Sequence, residues 1–124
     1  MKYILDTCVI SEIIKSGANE NVLAWISNQN EEGLFLSILT FGEIEKGIAK
    51  LSNDSRKKKL KLWVEDDLKK RFNGRILPID LLVANQWGGS QGKAELAGKP
   101  MPVIDGLIAA TGIAYKCIVV TRNT

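Results

Sequence analysis

The apolar positions of this chain change period repeatedly. Tyr3-Ile-Leu is a short apolar run ended by Asp6, and Val9, Ile10, Ile13 and Ile14 then recur at helical spacing, which predicts a strand leading into a helix. Ser16-Gly17-Ala18-Asn19 breaks the pattern. Val22, Trp25 and Ile26 predict a second helix that reaches the polar stretch from Asn28 to Glu32. Leu34-Phe35-Leu36-Ser37 reads as the next strand, and Phe41, Ile44, Ile48 and Leu51 mark one face of the helix behind it. Ser52-Asn53-Asp54-Ser55 offers turn and capping groups for a long helix whose apolar stripe is Leu60, Val64 and Leu68 with Trp63 and Phe72, and Gly74 ends it. Ile76-Leu77-Pro78-Ile79 fits only a short strand, because Pro78 has no N–H to give to a ladder. Asp80 is placed to cap a helix through Ala84, Trp87 and Ala94, which Gly88-Gly89 is expected to loosen. After the Gly- and Pro-rich stretch 98–102, Ile104, Leu107, Ile108 and Thr111 define a last helix, and Ile118 to Thr121 a final β-branched strand.

Short strands alternating with helices predict an α/β fold: a short parallel sheet of about four strands with helices on both faces, joined by right-handed crossovers. In such a sheet the strand-to-helix junctions collect along the carboxyl edge, where ligands bind. Asp6 stands at the first junction, and Glu43 follows the second strand within its helix. If the last strand runs parallel to the first, the helix before it runs the other way, so its start, carrying Asp105, faces the same edge. Three acids far apart in sequence are thereby expected to form one acidic site.

The chain has 124 residues and is 45% hydrophobic, enough for one domain with a single core. No repeat, low-complexity tract or linker divides it. Cys8 and Cys117 stand in apolar surroundings and read as buried small residues, not as a bridge or a CxxC pair, which suits a reducing cytoplasm. No stretch approaches the ~18 apolar residues of a membrane span, and Asp6 breaks any signal-peptide pattern. The net charge of +3 is small but unevenly spread: Arg56 to Lys61 reads RKKKLK, and Lys69, Lys70 and Arg71 follow. With Glu65, Asp66 and Asp67 between them, these form either a solvated helix face or a surface for phosphate backbones.

With no histidine in the chain, an acidic site would offer oxygen ligands only, which favours Mg²⁺ or Mn²⁺ over zinc or copper. Each acid also has an ordinary explanation. Asp6 could cap the first helix, Thr40-Phe-Gly-Glu43 is a formal capping box, and Asp105 could complement a helix dipole. Capping does not, however, call for an acid inside an apolar run such as Val103-Ile-Asp-Gly-Leu-Ile, where ionisation is costly unless a cation or several donors compensate.

Four blocks, Ile4-Leu-Asp-Thr-Cys-Val-Ile-Ser-Glu12, Ser37 to Ile48 (SILTFGEIEKGI), Pro102 to Thr111 (PVIDGLIAAT) and Val120-Thr-Arg-Asn123, together resemble the successive motifs of a PIN domain, and most closely the VapC-type, FitB-like toxin ribonucleases of toxin–antitoxin pairs. The resemblance runs from residue 3 to residue 123. It implies a PIN-like three-layer sandwich and a metal-dependent endoribonuclease using Mg²⁺ or Mn²⁺, with Asp6, Glu43 and Asp105 as catalytic and metal-binding acids. Thr7 matches the hydroxyl residue that supports the first acid, and Thr121 and Asn123 the polar pair after the last strand. RNA contact would fall to Arg75, Arg122, Lys57 and Lys58. The resemblance further implies a cognate antitoxin partner, docked on helices such as the first two, whose Ile10, Ile13, Ile14, Val22, Trp25 and Ile26 offer apolar surface, and a homodimer. The family's fourth acid, an Asp shortly after the Thr-Arg-Asn block, has no counterpart before Thr124. The expectation is therefore a single PIN-like domain over 1–124 that is truncated at its C-terminus or lacks that acid.

Two other functions compete. The same fold without the fourth acid would be a catalytically weak protein that binds antitoxin or RNA. An aspartyl-phosphate enzyme would use Asp6 as nucleophile, but a phosphatase of the haloacid-dehalogenase kind needs a second Asp where this chain has Cys8, and a receiver needs an acidic pair ahead of its Asp.

Overall fold

The computed structural model describes residues 1–14 and 19–121. Among them four strands, β1 (Tyr3–Leu5), β2 (Leu34–Ser37), β3 (Ile76–Leu77) and β4 (Ile118–Val120), form one sheet in the order β3-β2-β1-β4. Every pairing is parallel, with Tyr3 opposite Leu34 and Ile118, Leu5 opposite Val120, and Leu36 opposite Ile76. The parallel sheet expected from the alternation of strands and helices is therefore present.

Helices α1 (Thr7–Ile14), α2 (Glu20–Ser27) and α3 (Ile38–Ala49) follow the first two strands. Asn19 caps α2 by accepting from the N–H groups of Asn21 and Val22. A short 3₁₀ turn, Glu31–Gly33, leads into β2. The long basic segment is helical throughout but not uniform: α4 (Asp54–Leu62) passes through a wide π turn, Trp63–Leu68, into α5 (Lys69–Arg71). The wide turn answers a packing demand. Trp63 and Leu68, five residues apart, both reach the core, and a bulge of i→i+5 bonds brings such a pair to one face where an α-helix would not. Gly74, with φ +80°, turns the chain into β3. Helices α6 (Leu81–Leu96) and α7 (Val103–Ala114) complete the domain, and α6 runs unbroken through Gly88-Gly89.

Period-two alternation sends Tyr3, Leu5, Leu34, Leu36, Ile76 and Val120 to one face of the sheet. They pack there with Val9, Ile10, Ile13, Val22, Trp25, Ile26, Phe41, Ile44, Trp63, Leu68 and Phe72. The apolar face of α1 and α2, expected to receive a partner, is thus largely core: Ile10 is fully buried and Ile26 nearly so. On the other face lie Ile4 and Val119, and α7 approaches β4 so closely that a Cβ on Gly112 would fall 2.9 Å from Val119 Cγ2. Both faces are covered, which is why Ile4 and Leu5, adjacent in sequence, are each 0% exposed.

The cysteines differ from expectation. Cys8 is exposed, because it lies on the outward side of the first turn of α1, and Cys117 is half-buried. Among the described residues no helix is long and apolar enough to cross a membrane.

Candidate active site

The chain leaves β1 at the carboxyl edge and enters α1 at once. Asp6 is the hinge: its Oδ1 accepts from the N–H of Val9 at 3.0 Å, so it caps α1. Its backbone N–H donates to the Val120 carbonyl at 3.1 Å, fixing the junction to β4. At the far end of α7, the reversed direction of the helix returns its first turn to the same edge. A depression of about 280 Å³ opens there, lined by Asp6, Asp105, Ile108, Ala109, Val119 and Thr121. Two acids separated by 99 positions (105 − 6) meet because parallel strands and antiparallel crossover helices require it.

Glu43, expected to join these two acids in one site, does not line the depression and is tied to it only through Thr7. The capping-box reading of Thr40 and Glu43 is incorrect. The helix starts earlier, at Ile38, with Ser37 as its cap accepting from Leu39 N–H at 3.1 Å, and Thr40 is already inside the helix and fully buried. This frees the half-buried Glu43 side chain, whose Oε1 accepts a 2.6 Å hydrogen bond from Thr7 Oγ1. Thr7 adjoins Asp6, so this bond ties α3 to the start of α1 beside the first acid.

Asp105 also corrects an expectation. The apolar run around it is not buried: Val103 and Ile104 are 56% and 37% exposed, and Asp105 is exposed with them. The first turn of α7 projects past the sheet edge, so the carboxylate meets water.

The donors are oxygens alone. Among the described residues no three His, Cys, Asp or Glu side chains stand close enough to hold a metal ion by themselves. Two carboxylates in a solvent-open depression nevertheless suit a hard divalent cation of the Mg²⁺ type, which keeps several waters and is bound through one or two carboxylates plus substrate phosphates. The residues present fit such an ion.

The cations expected to meet RNA are placed differently. Arg122 and Asn123 lie outside the described residues. Arg75 is occupied: its guanidinium donates to the Glu31 carboxylate at 2.8 Å, to the Leu34 carbonyl at 2.8 Å, and to the carbonyls of Glu31 and Arg71. Arg71 pairs with the same carboxylate at 2.9 Å, and both guanidiniums lie near the Phe72 ring. This cluster fastens the 3₁₀ turn to the β3 entry. Lys57 is half-buried and Lys58 exposed. Lys58 lines a cationic depression of about 600 Å³ with Asn53, Ser55, Arg56, Lys59 and Leu62. Lys59 also borders a groove with Ile13, Leu60 and Trp63, which puts the basic surface toward the end of α1 away from Asp6. At 1.5 Å per residue the six steps from Thr7 to Ile13 span about 9 Å.

Comparison with known proteins agrees with this geometry. A family model described as "PIN domain" matches residues 3–124. "VapC ribonuclease Y4jK" of Sinorhizobium fredii is 36% identical over 121 residues, 98% of this chain and 86% of its own length. "Toxin FitB" of Neisseria gonorrhoeae is 38% identical over 121 residues, 98% of this chain and 87% of its own. Among solved structures, the crystal structure of FitAcB from Neisseria gonorrhoeae superposes with a TM-score of 0.92 at 38% identity, covering 98% of this chain and 88% of that one.

Proposed function

This chain belongs to the PIN-domain family, and from that premise we propose that it is the toxin component of a toxin–antitoxin pair, an endoribonuclease that hydrolyses RNA phosphodiesters. Dependence on a divalent cation goes with nucleases of this kind; the ion proposed here is Mg²⁺ or Mn²⁺. The observation that carries the reading is the pocket shared by Asp6 and Asp105 at the carboxyl edge, in a chain alike along nearly its whole length to one named a ribonuclease.

Asp6 and Asp105 would hold the cation, with Glu43 as the third acid of the set. When bound, the ion would polarise a phosphoryl oxygen and lower the pKa of a water for in-line attack. The chain's own contribution is positional. The cap bond from Val9 fixes one Asp6 oxygen on the helix terminus and leaves the other for the pocket. Thr7 holds Glu43 through its 2.6 Å bond and so sets the distance between α3 and the first acid. Thr121 supplies a hydroxyl on the wall beside Val119, and Asn123, next along the chain, is proposed to join it as a catalytic polar group. Exposed cations of α4, Lys58 above all, are proposed to contact the RNA backbone at a distance from the cut; Lys57 and Arg122 are the further candidates. Arg75 remains a candidate in name only, because its donors are already satisfied.

The protein is proposed to act in the cytoplasm, restrained by a cognate antitoxin and paired with a second copy of itself, a state that sedimentation of the purified chain would test. The decisive experiment titrates Mg²⁺ and Mn²⁺ into the chain and its Asp6→Asn variant while following a labelled RNA pool and thermal stability. Asn caps a helix about as well as Asp, so the variant should keep its stability and lose both cleavage and the metal response. Metal stabilisation without cleavage would favour the second reading, a binding protein of the same fold. Absence of any metal response would refute the site.

A further inference from the structure

Asp105 reaches the pocket from a helix start that has little of its own to hold it. Pro102, at the N-cap position of α7, makes no side-chain cap bond, and Val103, Ile104 and Asp105 are all exposed. Among the described residues, the outer side of this turn packs against nothing that would fix its direction. What fixes it comes from α6. Gln91, only 9% exposed, closes both ends of its amide on the backbone of one residue: Nε2 donates to the Met101 carbonyl at 3.0 Å, and Oε1 accepts from the Met101 N–H at 3.3 Å. One helical turn earlier, Trp87 lays its indole against Gly106, the residue after Asp105. A Cβ on Gly106 would lie 3.2 Å from Trp87 Nε1, 3.3 Å from Cδ1 and 3.7 Å from Met101 Cβ. The indole nitrogen is buried with no hydrogen-bond partner among the described residues, so packing against the glycine, not a polar bond, sets its place.

We propose that Gln91 and Trp87 are positioning residues for Asp105. Gln91 holds Met101, four residues before the acid and two ahead of α7, and so fixes the height at which that helix begins. Trp87 fixes the rotation of the first turn from its flank, since residues 105 and 106 point about 100° apart on a helix. Together they set the separation of the Asp105 and Asp6 carboxylates, and a binding constellation tolerates only about 0.5 Å of error in such a separation. The proposal rests on the reading of this pocket as a divalent-cation site.

The test uses the full chain and measures the Mn²⁺ dissociation constant by calorimetry alongside the melting temperature without metal. Gln91→Leu removes both bonds to Met101. Tyr115→Phe removes the bond from Tyr115 Oη to Asp80, which joins the other ends of the same two helices and leaves 101–106 untouched. Groups that support metal ligands typically contribute roughly 10- to 100-fold to affinity, so Gln91→Leu should weaken Mn²⁺ binding at least about tenfold. Tyr115→Phe should lower the melting temperature and leave the affinity unchanged. If Gln91→Leu does not fold, Gly106→Ala takes its place. It adds one methyl against the indole and should weaken binding several-fold in a folded chain. Unchanged affinity in the variant, or affinity that falls equally in Tyr115→Phe, would overturn the proposal. A parent chain that does not bind Mn²⁺, or binds it no better than Asp105→Asn, would instead overturn the cation-site reading, and the proposal with it.

Discussion

Adding a single methyl group at Gly112 tests the packing that closes the pocket wall. Gly112 lies in the last turns of α7, and its missing side chain is what allows β4 to approach. An alanine Cβ there would stand 2.9 Å from the Cys117 carbonyl oxygen and 2.9 Å from Val119 Cγ2. Real contacts between such atoms begin near 3.5 Å, so relief needs a movement of roughly half an ångström. One of the two neighbours is backbone, fixed by the 2.8 Å bond from Cys117 N–H to the Gly112 carbonyl, and the other is a β-branched side chain on a paired strand. Neither can rotate away. Overpacking of this kind costs about 1–3 kcal/mol, against which the higher helix propensity of Ala returns up to about 1 kcal/mol. The net expectation is a loss of about 1–2 kcal/mol, or roughly 4–8 °C in Tm for a domain of this size. Gly89→Ala is the matched control. Gly89 is exposed within α6, with nothing among the described residues within 4 Å of its would-be Cβ, so the same change there should raise stability by about 0.5–1 kcal/mol. Differential scanning calorimetry of both variants gives the answer. A Gly112→Ala protein as stable as its parent would refute the close approach of α7 to β4, and with it the placement of Val119 in the pocket wall.

Three further outcomes follow from other contacts. Thr7→Val should cost about 1.5–3 kcal/mol, the usual range for a hydrogen bond to a charged group, while Thr7→Ser should recover most of it; equal denaturation midpoints for Val and Ser would show that the bond to Glu43 contributes nothing. The last turns of α6 and α7 close alike, with Lys99 N–H bonded to Ala94 and Cys117 N–H to Gly112, but the left-handed residue is Gly98 in one and Lys116, φ 57°, in the other. Lys116→Gly should therefore raise stability by about 1 kcal/mol, measured by urea unfolding, and a loss would contradict the strained conformation. The hydrogen bond from Arg71, followed by Arg75, holds the Glu31 carboxyl below its ordinary value of 4.5 against the opposing effect of burial. A depressed folded value means that this stabilisation is complete well above pH 4.5 and is lost as pH falls through and below it. Glu31→Gln should then be less stable than the parent near neutrality and converge with it in acid. The gap will be small, because the side chain is 46% exposed, and a constant gap at all pH values would refute the linkage.

What the chain revealed before folding, and what it withheld, divides along one physical line. A strand that ends in an acid and passes into a helix is a local pattern, so Asp6 could be placed at a junction from its neighbours alone, and the direction of β4 then located Asp105. The cap at Asp6 and the pocket are both real, because a carboxylate has two oxygens and the cap uses one. Readings failed where the deciding partner was distant. Thr40 to Glu43 has the spacing of a capping box, but the spacing cannot report that Ser37 already caps the helix or that Thr7, 36 positions earlier, claims Glu43. Arg75 looks like any cation beside a turn until Glu31, 44 positions away, is folded against it. Asp105 sits in an apolar run whose exposure depends on how far α7 projects past the sheet. The wide turn in the basic helix went unread for a local reason: Leu60, Val64 and Leu68 make a regular α-helical stripe that hides the demand of Trp63, five positions before Leu68, for the same core. Topology therefore accounts for which residues meet at the carboxyl edge, whereas the distances between them depend on contacts such as Gln91 with Met101, ten positions apart and polar, which no hydrophobic period marks. Activity in this fold should accordingly be more sensitive to changes in α6 than the distance of that helix from the chemistry suggests.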